Sequence, residues 1–351
     1  MTAPAALRVN GEDLRDFIAQ VFANSGFAQA DAETIAEVLT WANLRGIDSH
    51  GVLRAPMYLR FVKTGRLNPA AKPHVILDLP AAVVIDAERG AGAPSMVMAT
   101  DHAMAKARLA GIGLAQVRRT THTGPIGYYA LRAADSGMAA IVMSASTPNM
   151  AYIGARLAGV SNSPIAIAVP SAGRPPILLD MAASVAASGK LSQAEDSGLP
   201  IPTGWALTED GQATTDPAKA DVLLPLGGAK GSGLALMVEC LTSMMIGNPI
   251  LEPILTANVP RGHGQNAMVI AFNIAAFTPL GDFTQSSSAL ATALKALPKA
   301  DGVTNILMPG ERSATCEAER RRDGIPLAPG TWKKMVAMAQ DSGVALPRSF
   351  N

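Results

Sequence analysis

Aromatic residues make up only 4% of this 351-residue chain and charged residues 16%, while hydrophobic residues reach 48%. The core must therefore be filled by Ala, Val, Leu, Ile and Met rather than by rings. A chain of this length exceeds what one hydrophobic core usually serves, so two or three lobes are expected. Low charge beside a large apolar fraction also predicts that some apolar surface is buried between subunits. Cysteine is scarce: Cys240 and Cys316 cannot build a disulfide framework or a zinc site, and they fit a reducing compartment. Neither sign of charge dominates, with 29 Lys and Arg against 28 Asp and Glu, and no segment gathers basic residues on one helix face. Nucleic acid and membrane surfaces are thereby disfavoured as partners. The one basic run, Arg320-Arg321-Arg322, follows Glu317 and Glu319 and reads as a solvated helix face. The stretch from Met1 to Asn10 lacks the basic start and apolar run of a signal peptide, and no window approaches the ~18 apolar residues of a membrane span. A cytoplasmic protein is expected.

The first 75 or so residues have a helical period. One helix is predicted from about Glu12 through Leu14, Phe17, Ile18 and Val21 to Gly26, and a second, capped by Asp31, through Ile35, Val38, Leu39 and Ala42 to Gly46. Prolines between Pro69 and Pro80 mark a lobe boundary. Beyond it, short β-branched runs alternate with helical patterns. Strands are predicted at Ala82 to Ile85, Gly113 to Val117, Ala139 to Ser144, Ile165 to Val169, Ile177 to Asp180 and Ala267 to Phe272, and helices at Ser95 to Leu109 and Gly127 to Ser136. After Gly310 the chain turns polar and helical again, and Trp332, Met335, Val336 and Ala339 form a face that can pack back on the first lobe. The expected class is α/β (α+β), with residues 1–75 and 312–351 forming a helical lobe and 76–311 an α/β lobe of one or two subdomains.

Of the five histidines, two sit in unusual contexts. His50 lies in Gly46-Ile47-Asp48-Ser49-His50-Gly51, with Arg54 and Tyr58 following at roughly helical spacing. An imidazole among small residues can approach a substrate closely and exchange a proton near neutrality, and Arg54 can fork a carboxylate. The plain structural alternative is that His50 caps the preceding helix. His122 lies in Thr121-His122-Thr123-Gly124-Pro125-Ile126-Gly127, between a predicted strand and a predicted helix, where α/β proteins position ligand groups. His74, His102 and His263 are solitary and read as structural. The stretch Leu226-Gly227-Gly228-Ala229-Lys230-Gly231-Ser232-Gly233 precedes an apolar helical run; unpaired N–H groups at the helix start, the helix dipole and Lys230 would hold an anion. It is not a P-loop, because Gly231 follows Lys230, and Gly111-Ile112-Gly113 lacks the third glycine of a Rossmann fingerprint. Small residues after Asp180-Met181-Ala182 would let a flat ring or ribose lie against backbone, with Asp180 or Ser184 bonding its hydroxyls.

These residues together resemble the malate/L-lactate dehydrogenase family, which is unrelated to the Rossmann-type lactate dehydrogenases. The likeness covers nearly the whole chain: Arg45-Gly46 through Ser49-His50-Gly51 to Arg54 and Tyr58, His122 with Gly127-Tyr128-Tyr129, Asp180-Met181-Ala182 with Gly189-Lys190, Ile201-Pro202 with Gly204-Trp205, Gly211 with Thr214-Thr215-Asp216, the 225–233 loop, Pro309-Gly310-Glu311 and Gly324-Ile325-Pro326-Leu327. The resemblance implies a non-Rossmann nicotinamide-binding lobe with a largely antiparallel sheet, a helical lobe built from both chain ends, and a homodimer with cofactor sites near the subunit interface. It implies transfer of a hydride between NAD or NADP and a small 2-hydroxy or 2-oxo acid of the malate, lactate, ureidoglycolate or sulfolactate kind. His50, aided by Ser49, would move the proton, with His122 competing for that role; Arg54, Tyr58 and Asn162 would hold substrate. His122, Thr123, Gly124, Pro125, Ile126, Asp180, Met181, Ala182, Lys230, Gly231, Gly310, Glu311 and Arg312 would surround the dinucleotide. The chain departs from the family at Ser161-Asn162-Ser163-Pro164, where Gly-Thr-Asn-Pro is frequent, and at Thr121-His122-Thr123-Gly124, where Asn-His-Phe-Gly is. Lys190 stands where cyclic imino acid reductases tend to carry aspartate, which favours a hydroxy acid. The alternatives are reduction of a cyclic imino acid, a non-catalytic dinucleotide-binding protein, and a Schiff-base enzyme using Lys230.

Overall fold

The computed structural model describes residues 7–350 apart from 197 and 260–263, so His263 lies outside the described residues. Both chain ends are tied together by a three-stranded antiparallel sheet, in which Arg8–Val9 runs between Ile325–Pro326 and Ser349–Phe350. The Gly11–Ala23 helix begins where Asn10 Oδ1 accepts the Glu12 N–H at 2.7 Å, and it buries Leu14, Phe17, Ile18, Val21 and Phe22. The next helix, Gln29–Leu44, starts before Asp31. Ala28 is its N-cap and makes no side-chain cap bond, so Asp31 lies in the first turn, where a carboxylate meets the positive end of the helix dipole, rather than at the cap. The C-terminal helix Pro329–Ser342 buries Met335, Met338 and Ala339 against the same core. The helical region thus draws on both termini.

The central sheet has seven strands in the order His74–Asp78, Ala82–Asp86, Ile112–Thr120, Gln265–Phe272, Ala139–Ser146, Ile165–Val169, Ile177–Met181. Only the Ala82–Asp86 and Ile112–Thr120 pair is parallel, joined through the Gly92–Ala110 helix; every other neighbouring pair is antiparallel. The edge strand His74–Asp78 falls in the proline-flanked stretch that the pattern marks as a boundary. Its residues are mostly exposed, so no alternation of buried and solvated positions betrays it. The helices Gly92–Ala110 and Gly127–Asp135 pack on the central strands and on each other. Ala99, Ala103 and Ala107, each fully buried at four-residue spacing, let the first of these helices settle directly onto the sheet. A five-stranded sheet, in the order Ala213–Thr214, Ala206–Leu207, Val222–Leu223, Met150–Ala151, Ala158–Val160, carries a second, smaller core around Met150, Leu191, Ile201, Leu223 and Ala235. Among the described residues, no helix is long and apolar enough to cross a membrane.

Gly113 shows how tight the helix–sheet contact is: a Cβ there would lie 2.0 Å from the Ala103 carbonyl oxygen and 2.6 Å from the Ala107 nitrogen. Both obstacles are backbone, so neither can rotate away. Gly113→Ala is expected to cost at least about 1–3 kcal/mol, the usual penalty for overpacking. A lowered denaturant midpoint at unchanged slope would show it; an unchanged midpoint would mean that the helix rides further from the sheet.

Candidate active site

The turn after the Gln29–Leu44 helix is bracketed on two sides. Asn43, 2% exposed, donates from Nδ2 to Asp48 Oδ1 at 2.7 Å and accepts the Val52 N–H on Oδ1 at 2.8 Å. From the far end of the chain, Arg320 forks onto Asp48 (Nη1 to Oδ1 2.7 Å, Nη2 to Oδ2 3.0 Å) and also donates to the Asn43 carbonyl. This corrects the expectation of a solvated basic face. Arg321 pairs with Glu317 and Arg322 with Asp323 on the outside, but Arg320 turns inward and keeps only 15% of its side chain exposed. A basic run on a surface helix gave no sign that its first member has a carboxylate from the other end of the chain to meet. Asn43, also missed, leaves a faint trace as a polar residue on an apolar helix face.

Within the bracketed turn, the 3-10 segments Asp48–His50 and Val52–Arg54 set three side chains close together. Ser49 Oγ lies 3.0 Å from His50 Nδ1, and Arg54 Nε donates to the Ser49 carbonyl oxygen at 2.6 Å. Among the described residues, His50 Nε2 and the two terminal nitrogens of Arg54 carry no hydrogen bond or ion pair. Burial first, and the Arg54 charge second, push the His50 pKa down to about 4, so the ring is neutral at pH 7. Burial also lowers Arg54 from its ordinary value. The expected alternative, a capping role for His50, finds no support: the Gln29–Leu44 helix ends at Arg45, several residues earlier, and the His50 ring faces Ser49 instead.

His122 comes to the same place from the sheet. Its ring stacks near that of His50, with centroids 5.7 Å apart and planes at 21°. Its Nδ1 lies 2.7 Å from the Tyr58 hydroxyl and accepts the Gly124 N–H at 3.2 Å. The loop behind it is fixed by Gln265, which accepts the Thr123 N–H at 3.0 Å, and by Tyr129, which donates to the Thr123 carbonyl at 2.6 Å. Of the other histidines, His74 is exposed beside Glu88 and His102 lies on the Gly92–Ala110 helix, both apart from this cluster.

The remaining segments converge on one flank. Asp180 Oδ2 accepts the Gly127 N–H at 3.1 Å, joining Asp180-Met181-Ala182 to the Thr123-Gly124-Pro125-Ile126 loop. Its carboxyl is crowded by protein, which pushes its pKa up to about 6 against the pull of Gly127 and Arg45, although the residue as a whole keeps an open flank. Gly310 caps the Glu311–Asp323 helix in the left-handed region (φ +81°), and a Cβ there would lie 2.9 Å from Leu178 Cβ. Arg45 ties this corner to the helical region, pairing with Glu317 at 2.8 Å and donating to the Gly310 carbonyl at 3.4 Å. Glu311 already carries a countercharge from Lys295 and accepts the Met308 N–H at 2.9 Å, whereas Arg312 is exposed. Asn162 is held by its backbone, donating to Asn149 Oδ1 at 2.7 Å and accepting from Ala183 at 2.8 Å; its side-chain amide has no bond among the described residues.

The glycine-lysine loop departs from expectation in one respect. Three of its N–H groups are paired: Gly228, Lys230 and Gly231 donate to the carbonyls of Pro225, Gly227 and Leu226 at 3.2, 3.3 and 2.8 Å, while those of Gly227 and Ala229 carry no bond among the described residues. Positive φ at Gly227 and Gly228 curls the chain over its own helix start. What remains for an anion is these two N–H groups, the helix dipole and the exposed Lys230 ammonium. Gly231 packs against the Ala183 carbonyl, which a Cβ would approach to 2.3 Å, so this loop sits beside the Asp180–Ala183 segment. Two open cavities, of about 650 and 860 Å³, lie elsewhere, among residues such as Glu209, Asp221 and Leu255, where acidic side chains suit a dinucleotide poorly.

The chain is similar to known proteins over nearly its whole length. Malate dehydrogenase of Pyrococcus abyssi is 33% identical over 348 residues, covering 96% of each chain. L-sulfolactate dehydrogenase of Methanocaldococcus jannaschii is 32% identical over 338 residues, covering 95% of this chain and 96% of that one. The solved structure of malate dehydrogenase from Entamoeba histolytica superposes with a TM-score of 0.92 at 27% identity, over 97% of this chain and 99% of that chain. The model of the family described as malate/L-lactate dehydrogenase matches residues 9–336, and the chain belongs to that family.

Proposed function

We propose that the chain is an NAD(P)-dependent 2-hydroxy acid dehydrogenase that works reversibly on a small 2-hydroxy or 2-oxo acid. The observation that carries this reading is the pairing of a half-buried neutral imidazole, His50, with a guanidinium, Arg54, whose fork has no partner among the described residues. Such a fork suits a carboxylate, held by two parallel bonds. A carboxylate so held brings the neighbouring C2 oxygen to an imidazole, and His50 takes its proton in oxidation and returns it in reduction. The Ser49 hydroxyl orients the ring through Nδ1. The Asn162 amide offers a further substrate contact.

A nicotinamide dinucleotide fits the flank where Thr123 to Ile126, Asp180 to Ala182, Lys230-Gly231 and Gly310-Glu311-Arg312 converge; when bound, it supplies or takes up the hydride. The free oxygen of Asp180 suits a ribose hydroxyl, and Lys230 and Arg312 suit phosphates. Lys230 is exposed, unlike the desolvated amines of Schiff-base enzymes. We also place the protein in the cytoplasm as a homodimer, with residues 1–75 and 312–351 as one lobe and 76–311 as the other. Exposed Leu236, Met237, Met244 and Met245 support an apolar contact between copies.

Mixing the protein with NAD or NADP and a panel of 2-hydroxy acids should change absorbance at the nicotinamide band with at least one pair. Dinucleotide binding without turnover of any acid would make it a binding protein, and turnover confined to pyrroline- or piperideine-carboxylate would make it an imine reductase. His50→Ala should lower kcat by about 10²- to 10⁴-fold with dinucleotide affinity nearly intact, and retention of most turnover would remove His50 from the chemistry. Arg54→Lys should chiefly raise KM for the acid, because one ammonium cannot reproduce the fork; an unchanged KM would point to another carboxylate site. In the oxidative direction His50 must be neutral, so kcat/KM should hold down to about pH 4 and fall below it. In Arg54→Met, one of the two causes of the low pKa is gone, and the limb should move up toward the free imidazole value. A wild-type limb near 6.5 would show that the ring is solvated.

A further inference from the structure

We infer that His122 is held as the tautomer with its proton on Nε2, serving as a fixed hydrogen-bond donor, so that of the two stacked histidines only His50 can take the substrate proton. The catalytic half of this inference rests on the dehydrogenase reading above; the tautomer does not. His122 Nδ1 is approached by two groups, the Tyr58 hydroxyl at 2.7 Å and the Gly124 N–H at 3.2 Å. A hydroxyl can donate or accept, but a backbone N–H can only donate. Nδ1 must therefore present a lone pair, and the hydroxyl of Tyr58 falls into line as the second donor.

The position of each donor is set by the fold. The Gly124 N–H meets the ring two residues earlier, and the chain leaves this turn through φ +72° at Gly124, a conformation other residues rarely take. Tyr58 is 5% exposed and packs on Phe22 with ring centroids 6.2 Å apart. Burial raises its phenol above the ordinary value, so the hydroxyl keeps its proton and has it to give. A ring protonated at Nδ1, as the other tautomer or as imidazolium, would set N–H against N–H and strand the Gly124 donor, which has no other acceptor among the described residues. Neither species suits this place.

The consequence separates two residues that the sequence leaves in competition. A base needs a lone pair directed at the proton it removes. The lone pair of His122 takes two bonds from the protein, and its other nitrogen already bears hydrogen. His50 has no such constraint, since among the described residues the group at its Nδ1 is the Ser49 hydroxyl, which can give or take. His122 can steady an oxygen but not deprotonate it, and Tyr58 is a positioning residue that acts through His122.

Wild-type protein labelled with ¹⁵N-histidine tests this without reference to turnover. Long-range ¹H–¹⁵N correlation at neutral pH, with His122 assigned by the signals lost in His122→Gln, should show a protonated Nε2 and a bare Nδ1. A protonated Nδ1 would overturn the inference. Tyr58→Phe removes one of the two donors and should raise the Nδ1-protonated share of His122 in the same spectrum; no change would overturn the role given to Tyr58. In activity, His122→Gln keeps a side-chain N–H donor without a base. It should lower kcat by no more than about tenfold, against the ~10²- to 10⁴-fold expected on losing a general base. A loss of that larger size would also overturn it. Absence of turnover with every acid would instead sink the dehydrogenase reading and leave the tautomer standing.

Discussion

A neutral imidazole kept beside a guanidinium whose fork has no partner among the described residues, both half-buried, is the constraint on which the rest of this molecule turns. Neither group gains from the pairing: burial disfavours the charged form of each, and the Arg54 charge further opposes protonation of His50. A site that holds such a pair is unstable unless the backbone beneath it is fixed from outside. An anion in the fork of Arg54 would relieve the tension, which is what a carboxylic acid provides.

The outside support comes from the opposite end of the chain. Arg320 reaches across 272 positions of sequence to Asp48, and Asn43 closes the other side of the same turn. The three-stranded sheet that zips both termini together brings the Glu311–Asp323 helix into range. Arg45, two residues after Asn43, extends the link to Glu317 and to the Gly310 carbonyl. One helix of the C-terminal region therefore braces both the turn that carries His50 and the corner proposed for the dinucleotide.

Small residues set the spacing of the whole. Alanines at four-residue intervals and Gly113 bring one helix onto the central strands, Gly189 admits Ser49 so closely that a Cβ would lie 2.2 Å from the serine Cβ, and Gly92 admits the His122 carbonyl at 2.3 Å. The scarcity of aromatic residues follows from this geometry, since rings would hold the layers apart. Three of the tyrosines sit where a fixed hydroxyl is used: Tyr58 at His122, Tyr129 at the Thr123 carbonyl, Tyr128 at Glu37.

The sequence pattern alone located the bodies of the strands Ala82–Asp86, Ile112–Thr120, Ala139–Ser146, Ile165–Val169, Ile177–Met181 and Gln265–Phe272 and of the helices Gly92–Ala110 and Gly127–Asp135, because burial of one face imposes a period that composition cannot hide. The unusual contexts of His50 and His122 were also legible, as was the set of loops that flank them. What only tertiary structure decided was direction and pairing: which way Arg320 turns, what Asn43 bonds, and that the glycine-lysine loop satisfies three of its own N–H groups. The exposed strand His74–Asp78 belongs with these, because its pairing lies in backbone bonds that no side chain announces. A sequence records which faces avoid water; it does not record which buried charge will find its partner hundreds of residues away, and the state of each histidine depends on such partners.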